Sequence, residues 1–261
     1  MPEGDVVWYT ARRLHEALAG RTLTRTDFRV PRYATTDLTG QLVTQAVPRG
    51  KHLLIRTDGG RTIHTHLKME GAWRIRPAAD TIAESHKIRL LLANDKYQAV
   101  GYQLGITEVV PTKDEDTVVG HLGPDLLDQA WSEAHLTRAV RNLENRGHST
   151  IAEALLDQTN LAGAGVIFAT EMLFLRGIDP SRCVEDVDNL HALVDLGHRL
   201  LDANKTRLDQ VTTGDTRPGR QFWVYGRAGR PCRRCGIPIR RGKQGPPGQE
   251  RLRFWCPNCQ R

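Results

Sequence analysis

The chain has 261 residues, of which 39% are hydrophobic, so it is long enough for two folded domains. It contains no run of about 18 apolar residues, so no membrane span is predicted. The first residues contain neither a charged leader nor an apolar stretch, so no secretory signal is expected and a cytosolic protein is predicted. The net charge is +7, yet residues 217–261 carry twelve Lys or Arg and a single acid, Glu250.

This basic segment is predicted to bind nucleic acid, because clustered positive charge attracts phosphates and releases their counterions. A solvated basic tail is the other interpretation of such a charge run. Aromatic residues are interleaved with the charges, and disordered tails rarely retain aromatics, which favours a folded basic module. These aromatic residues are Trp223, Tyr225, Phe254 and Trp255.

The first half of the chain predicts one helix followed by strands. Over residues 3–19 the apolar side chains recur on one helical face from Val7 to Leu18, and Gly20 is placed to end the helix. Strands joined by hairpins then favour an antiparallel sandwich or barrel. Two hairpins are predicted, with residues 51–57 and 61–67 flanking Asp58-Gly59-Gly60, and residues 88–93 and 98–104 flanking Asn94-Asp95.

The second half predicts a helical region. Residues 111–125 are acidic and rich in turn residues, and a domain boundary is predicted there. Thr150 and Glu153 form a capping-box pattern at the start of a helix, and Gly177 is placed to end the next one. Helices are predicted over residues 150–157, 166–176 and 189–203.

Four of the five cysteines form two Cys-x-x-Cys pairs separated by twenty residues. In a cytosolic protein this pattern indicates metal binding rather than disulfides. Zinc prefers four tetrahedral thiolates, so one structural Zn²⁺ is predicted in a zinc-finger β-hairpin whose turn is Gly245-Pro-Pro-Gly248. Four protein ligands leave no open position, so this metal holds shape rather than performing chemistry. The ligands are Cys232, Cys235, Cys256 and Cys259, and Cys183 is interpreted as a plain thiol.

Two further features are candidate phosphate or base contacts. Gly163 and Gly165 fit a phosphate clamp, because a glycine-rich turn before a helix presents backbone N–H groups to an anion. A packed pair of helices with two turn glycines is the other interpretation. Arg251 and Arg253 precede Cys256 on the return strand of the hairpin, where they can enter a DNA groove or remain solvated strand arginines.

Six short segments, spread over the chain, carry a family resemblance. They are Pro2-Glu3-Gly4, Arg49-Gly-Lys51, His66-Leu-Lys-Met-Glu-Gly71, Leu122-Gly-Pro124, Leu155-Leu-Asp-Gln-Thr-Asn-Leu-Ala-Gly-Ala-Gly165, and Val224-Tyr-Gly-Arg-Ala-Gly-Arg-Pro-Cys232 leading to Cys-Pro-x-Cys-Gln. In this order they resemble the formamidopyrimidine-DNA glycosylase and endonuclease VIII family over essentially the whole chain. The Pro-Glu-Gly start is more similar to the endonuclease VIII branch.

The resemblance implies an α+β fold that binds damaged DNA, duplex or single-stranded, in a cleft. Three domains are expected: a catalytic antiparallel β-sandwich with an N-terminal helix (1–120), a helix–two-turns–helix DNA-binding domain (121–215) and a zinc finger (216–261). We expect a monomer with no membrane partner.

The resemblance also implies a bifunctional DNA glycosylase and AP lyase of base excision repair, with the amine of Pro2 as nucleophile. Removal of Met1 would leave a secondary amine that is partly unprotonated at neutral pH. Its attack on the sugar C1′ expels the base and forms an iminium, an electron sink that lets the phosphates leave by β- and δ-elimination. Glu3 is expected to shuttle protons, and Lys51 to contact DNA phosphate and support the chemistry.

Further positions match family contacts to DNA. The target base is expected to flip out and leave a gap. Met69 matches a residue that wedges into the gap, although a core methionine is the other interpretation. Arg251 matches the arginine of the intercalating finger. Tyr225 and Arg227 are expected to line the DNA backbone.

The sequence departs from the family pattern at two positions. Val166 stands where family members often carry an Asn that holds phosphate. Val6 stands where they often carry a carboxylate a few residues after the N-terminal proline. Glu171 is retained on the second helix and is expected to orient the helix–turn–helix junction, the turn that contains Gly163 and Gly165. Oxidised pyrimidines are the predicted lesions, with oxidised or ring-opened purines as the alternative. A catalytically silent zinc-finger DNA-binding protein is the alternative class. Val166, Val6 or a retained Met1 could each produce it, the last by making Pro2 a tertiary amide.

Overall fold

The computed structural model describes residues 2–207, 209–248 and 250–261. The chain divides into two compact units, the first ending at His121 and the second beginning at Leu122. This boundary falls within the acidic, turn-rich segment 111–125. In the described part of the chain, no helix has the length and apolarity that crossing a bilayer requires. The finer division of the second unit into a helical domain and a zinc finger stays a prediction.

The first unit consists of one long helix and two antiparallel sheets. Helix α1 (Gly4–Leu18) comes first. One sheet has the strand order β1 (Arg21–Thr22), β3 (Leu42–Arg49), β4 (His52–Thr57), β5 (Arg61–His66) and β9 (Ile106–Pro111). The other has the order β2 (Arg25–Phe28), β7 (Ile88–Ala93), β8 (Tyr97–Tyr102) and β6 (Ala72–Pro77). A short helix α2 (Asp116–Val119) lies near the end of the unit.

One apolar core joins α1 to both sheets, which confirms the predicted antiparallel sandwich with an N-terminal helix. The helix buries the stripe predicted from its sequence and packs against β3. It ends where predicted, since Gly20 has φ +72°, a left-handed conformation that glycine adopts without strain. The buried side chains include Val7, Leu14 and Leu18 from α1, Ile55 and Ile63 from the first sheet, and Leu90 and Leu92 from the second. Each such aliphatic side chain contributes about 1.5–3 kcal/mol when fully buried.

The second unit contains four longer helices and a terminal hairpin among its described residues. The helices are α3 (Glu133–Glu144), α4 (Ile151–Leu156), α5 (Val166–Arg176) and α6 (Leu190–Asn204). The hairpin strands are β10 (Arg240–Gln244) and β11 (Arg251–Trp255). The last three helices agree with the predicted ranges to within one or two residues. As predicted, Thr150 caps α4 by accepting the Glu153 N–H, and Gly177 ends α5 with φ +72°.

The hairpin shares a core with α5. Its members are Phe174 of α5, Val224, Cys232, Ile239, Phe254 and Cys256. Hydrogen bonds also link the residues after the hairpin to the end of α5. Gln260 donates its side-chain N–H to the carbonyl of Ile178 at 2.9 Å, and the Arg261 N–H donates to the Gly177 carbonyl. This common core is the physical reason that the helices and the hairpin form one compact unit.

Candidate functional site

Helix α1 holds the amino end of the chain. It begins two residues after Pro2, and the Val7 N–H donates to the Glu3 carbonyl at 3.1 Å to close the first turn. Pro2 is half-buried, whereas Glu3 has 0% of its surface exposed. The amino end of a helix favours negative charge, so the start of α1 suits a carboxylate. Met1, whose removal the predicted chemistry requires, lies outside the described residues.

The family departure at Val6 has a structural explanation. Val6 is half-buried and packs against the core of the first unit, and its carbonyl accepts the hydroxyl of Thr10 at 2.7 Å. An apolar contact therefore takes the place of a carboxylate at this position. The neighbouring Asp5 is buried, with 2% of its surface exposed.

Lys51 lies in the two-residue turn between β3 and β4. Arg49 and His52 are the last pair of this ladder, so Gly50 and Lys51 make the turn, and Gly50 has φ +58° as a tight hairpin turn requires. Helix α1 packs against both β3 and β4. The same two strands therefore support α1 and the half-buried Lys51.

A chain of hydrogen bonds that the sequence did not predict lies beside Lys51. His52 Nδ1 lies 2.7 Å from His64 Nε2, and His64 Nδ1 lies 2.7 Å from Glu108 Oε1. The two imidazole planes are within 17° of parallel and their centroids are 4.9 Å apart, the spacing of rings joined edge to edge. His64 and Glu108 face each other across β5 and β9, so the register of the sheet creates the chain.

The chain determines where protons sit when the histidines are neutral. The Glu108 carboxylate accepts the Nδ1–H of His64, whose Nε2 then accepts the Nδ1–H of His52 and leaves the Nε2 of His52 unprotonated. Burial, and then the neighbouring positive groups, lowers the pKa of His52 to about 3 and that of His66 to about 4. Both imidazoles are therefore neutral at pH 7 and add no positive charge around Lys51.

Met69 lies on the surface. Its side chain is 62% exposed in the loop between β5 and β6, which excludes the alternative of a core methionine. The preceding Lys68 has φ +53°, an uncommon conformation for a residue other than glycine. An exposed apolar side chain on a tight loop is available to contact a ligand.

The glycines predicted as a phosphate clamp lie between α4 and α5. Gly163 is buried with φ +104°, and its N–H donates to the side-chain oxygen of Gln158 at 3.1 Å. The Gln158 amide in turn donates to the carbonyl of Ala164 at 3.0 Å. Gly165 is the N-cap of α5 in an extended conformation. Gly163 therefore shapes the turn, and its own N–H is already engaged.

The structure corrects the prediction that Glu171 orients the helix–turn–helix junction between α4 and α5. Its fully buried carboxylate accepts the backbone N–H groups of Trp223 at 2.8 Å, Val224 at 2.9 Å and Tyr225 at 2.8 Å, together with the hydroxyl of Thr212. Burial raises the pKa of Glu171, and these four hydrogen bonds oppose that rise. The carboxylate therefore organises the segment that leads to the finger, which lies about fifty residues further along the chain.

Tyr225 and Arg227 are both engaged in the packing of this segment. The Tyr225 ring contacts Phe222 and Phe254 edge to face, with centroids 5.3 and 5.4 Å away. The Arg227 guanidinium donates to the carbonyls of Trp223 and Pro231. Both side chains remain half-buried, so each also presents surface to solvent.

The four predicted ligand cysteines come together, as expected for a metal centre. Their sulfur atoms lie within 4.8 Å of one another, with Cys232 and Cys259 3.9 Å apart and Cys235 and Cys256 3.4 Å apart. Zn–S bonds of about 2.3 Å in a tetrahedron place sulfurs at comparable separations. Burial, and then the adjacent thiols, raises the pKa of Cys259 to about 12. A backbone hydrogen bond with Ile237 instead lowers the pKa of Cys235 to about 7. A bound cation compensates thiolates that lie this close together, and the donor set therefore fits a metal such as zinc.

The two hairpin arginines differ in exposure. Arg251 is exposed at the start of β11, opposite Gln244 in the pair of the ladder next to the turn. Arg253 is half-buried and lies over the Trp255 ring, 5.0 Å from its centroid, a cation–π contact. Arg251 is therefore the more available of the two for a partner.

Comparisons with known proteins agree with this architecture. Residues 1–102 match the family model described as formamidopyrimidine-DNA glycosylase N-terminal domain. A protein of Streptomyces coelicolor named probable endonuclease 8 2 is 48% identical over all of this chain and 94% of its own length. The DNA-(apurinic or apyrimidinic site) lyase Nei2 of Mycolicibacterium smegmatis is 46% identical over all of this chain and 99% of its own length. Lactococcus lactis Fpg bound to DNA with an abasic site has the same fold, with TM-score 0.82, 22% identity and full coverage of both chains.

The chain therefore belongs to the formamidopyrimidine-DNA glycosylase and endonuclease VIII family, and it is a DNA-binding repair enzyme, a DNA glycosylase and AP lyase. The relatives carry enzyme names, which favours this class over the alternative of a catalytically silent DNA-binding protein.

Proposed function

We propose that this protein excises oxidised pyrimidines from DNA and then cleaves the strand by β- and δ-elimination. Whole-chain identity of 48% to proteins named endonuclease 8 carries the proposal. The relative named as an apurinic or apyrimidinic site lyase supports the cleavage step. The Pro2-Glu3-Gly4 start supports the endonuclease VIII-like choice of lesion.

Pro2 supplies the nucleophile once Met1 has been removed. Its secondary amine bonds to the sugar C1′, the glycosidic bond breaks, and the electron pair leaves with the base, which takes up a proton. The amine then loses its proton, and the C1′–O4′ bond breaks with protonation of O4′, so that the sugar ring opens and C1′ becomes double-bonded to nitrogen. The resulting iminium acidifies C2′, so loss of that proton expels the 3′ phosphate, and a second proton loss expels the 5′ phosphate. Hydrolysis of the iminium frees Pro2.

Glu3 and Lys51 assist this chemistry. Glu3 is buried next to the nucleophile and delivers or accepts the protons, a contribution worth about 10²–10⁴-fold in rate for a positioned acid or base. Lys51 pairs with a DNA phosphate and keeps the sugar close to Pro2. Its place in a tight turn supports this role, because a short turn fixes the backbone position from which the lysine side chain extends.

Damaged DNA, duplex or single-stranded, is the proposed partner of a monomeric enzyme acting in the bacterial cytosol. Solved neighbours include Fpg bound to DNA with an abasic site. Met69 and Arg251 fill the gap left by the flipped base, and their exposure supports this role. The turn of Gly163 and Gly165, with Tyr225, Arg227 and Arg253, lines the DNA backbone. One Zn²⁺ on Cys232, Cys235, Cys256 and Cys259 holds the finger in shape.

Borohydride trapping tests the nucleophile. Incubation with an abasic or thymine-glycol oligonucleotide and borohydride is expected to yield a covalent adduct, because reduction fixes the iminium. Pro2→Gly should lose this adduct on the thymine-glycol substrate, and Glu3→Gln should slow base excision at least 100-fold, about the lower limit for a general acid. Intact mass should show that Met1 is absent. An undiminished adduct in Pro2→Gly, or a retained Met1 in active enzyme, would contradict the mechanism.

Oxidised or ring-opened purines are the second candidate lesions. A relative named formamidopyrimidine-DNA glycosylase, from Edwardsiella ictaluri, is 31% identical over the whole chain and supports this alternative. Excision rates on paired thymine-glycol and 8-oxoguanine duplexes decide between the two. Faster release of thymine glycol supports the main proposal, and faster release of the purine reverses it.

A further inference from the structure

Glu153 connects the start of α4 to the turn of the zinc-finger hairpin. One carboxylate oxygen, Oε1, accepts the backbone N–H of Gly245 at 2.9 Å. The other, Oε2, accepts the hydroxyl of Thr150 at 2.6 Å, and the Thr150 oxygen accepts the Glu153 N–H at 3.3 Å. The side chain thus completes the cap of its own helix with one oxygen and uses the other to reach a residue 92 positions further along the chain.

Gly245 is the first residue beyond the ladder of the hairpin. Gln244 and Arg251 form the last pair, and Gly245 turns away with φ +94°, a left-handed conformation that only glycine adopts freely. A hydrogen bond to the Gly245 N–H therefore restrains the backbone one residue from the position opposite Arg251. Hydrogen bonds to an ionised acceptor are about twice as strong as neutral ones, which makes this restraint effective.

The base of the finger is anchored separately. Arg234 lies over the Phe174 ring, 4.4 Å from its centroid, and donates to the Phe174 carbonyl at 3.1 Å, at the end of α5. A two-stranded hairpin held only at its base can twist and bend freely at its tip. The contact from Glu153 supplies a second point of attachment, at the tip.

We propose that Glu153 is a positioning residue that holds the hairpin turn, and with it Arg251, in the orientation required for base excision from duplex DNA. This inference rests on the role of Arg251 given under Proposed function. Glu153 itself touches no substrate and acts through the backbone of Gly245. Its effect should be confined to steps that need the finger inserted in a duplex.

The test compares Glu153→Ala with Thr150→Ala and Glu153→Gln. Thr150→Ala removes the helix cap but leaves the acceptor for Gly245, and Glu153→Gln retains an oxygen acceptor in place of the carboxylate. Excision is measured on the same lesion in duplex and in single-stranded oligonucleotides. Glu153→Ala should lower kcat/KM on the duplex about tenfold relative to the single strand, the size expected for one hydrogen bond to a charged group. Thr150→Ala should keep the wild-type ratio, and Glu153→Gln should restore most of it.

A double variant separates this inference from the proposed function. In an Arg251→Ala background, adding Glu153→Ala should cause little further loss on duplex DNA, because the positioned group is already gone. Full additivity of the two losses, or an equal loss on both kinds of DNA, would overturn the inference. If Arg251→Ala alone leaves duplex excision unchanged, the role of Arg251 under Proposed function is wrong.

Amide hydrogen exchange supplies a readout without substrate. The Gly245 N–H should be protected in the wild type and in Thr150→Ala, and it should exchange at least tenfold faster in Glu153→Ala. Equal protection of this amide in all three proteins would show that Glu153 does not restrain the turn, whatever the activity results.

Discussion

His52 Nδ1 lies 2.7 Å from His64 Nε2, which joins two imidazoles from neighbouring strands into one hydrogen-bonded unit that ends on Glu108. With the pKa of His52 lowered to about 3 and that of His66 to about 4, the folded protein leaves unprotonated two histidines that the unfolded chain protonates below about pH 6.5. Stability should therefore fall as the pH falls from about 6.5 towards 4.

Each such histidine lowers the free energy of unfolding by up to about 1.4 kcal/mol for every unit by which the pH falls. The partial exposure of both rings reduces the slope to roughly 1–2 kcal/mol per pH unit for the pair. Urea unfolding at about pH 7, 6 and 5 measures the slope. His52→Gln combined with His66→Gln should flatten it, whereas exposed His86→Gln should not. A slope that survives the double variant would assign the pH dependence to other groups.

Glu171→Ala should destabilise the second unit by about 3 kcal/mol or more, because it leaves three backbone N–H groups, one buried and two partly buried, without their acceptor. The affected groups belong to Trp223, Val224 and Tyr225. Urea unfolding measures the loss, and Glu171→Gln should cause a smaller one. The matched control is exposed Glu144→Ala on α3, which should stay within about 0.5 kcal/mol of the wild type. A loss below about 1 kcal/mol in Glu171→Ala would mean that water replaces the carboxylate.

Cys256→Ser should abolish zinc binding and DNA cleavage together, because Cys256 is one of four sulfurs that lie within 4.8 Å of one another. Elemental analysis should find one zinc per wild-type chain and much less in the variant. Cys183→Ser, which removes the cysteine outside the cluster, should keep both metal and activity. Full cleavage by a zinc-free Cys256→Ser protein would show that the metal is not needed to hold the finger in shape.

Met69→Ala should leave stability within about 0.5 kcal/mol of the wild type, since the side chain is exposed. Excision from duplex DNA should nevertheless fall, because a wedge that no longer fills the gap lets the flipped base return. Met69→Leu retains an apolar side chain of similar volume and should be close to the wild type. The wedge role fails if Met69→Ala and Met69→Leu excise equally well.

Features that depend on short stretches of chain could be predicted from the sequence. The apolar stripe of α1, the two hairpin turns and the Thr150 cap all follow from spacing within about one turn or one strand. The four-cysteine cluster was also predictable, because each Cys-x-x-Cys pair is local and a tetrahedral metal ion takes two such pairs as ligands. The division of the chain after His121 falls within the segment 111–125, where composition predicted a boundary.

Contacts between distant segments needed the tertiary structure. Sequence spacing does not reveal that His52, His64 and Glu108 line up, because that depends on the register of three strands. Glu171 was expected at the junction, but burial of α5 directs its carboxylate towards a segment about fifty residues away. Local periodicity and ligand spacing determined the elements and the metal centre, whereas strand register and helix packing decided which polar side chains meet, since those depend on the whole core at once.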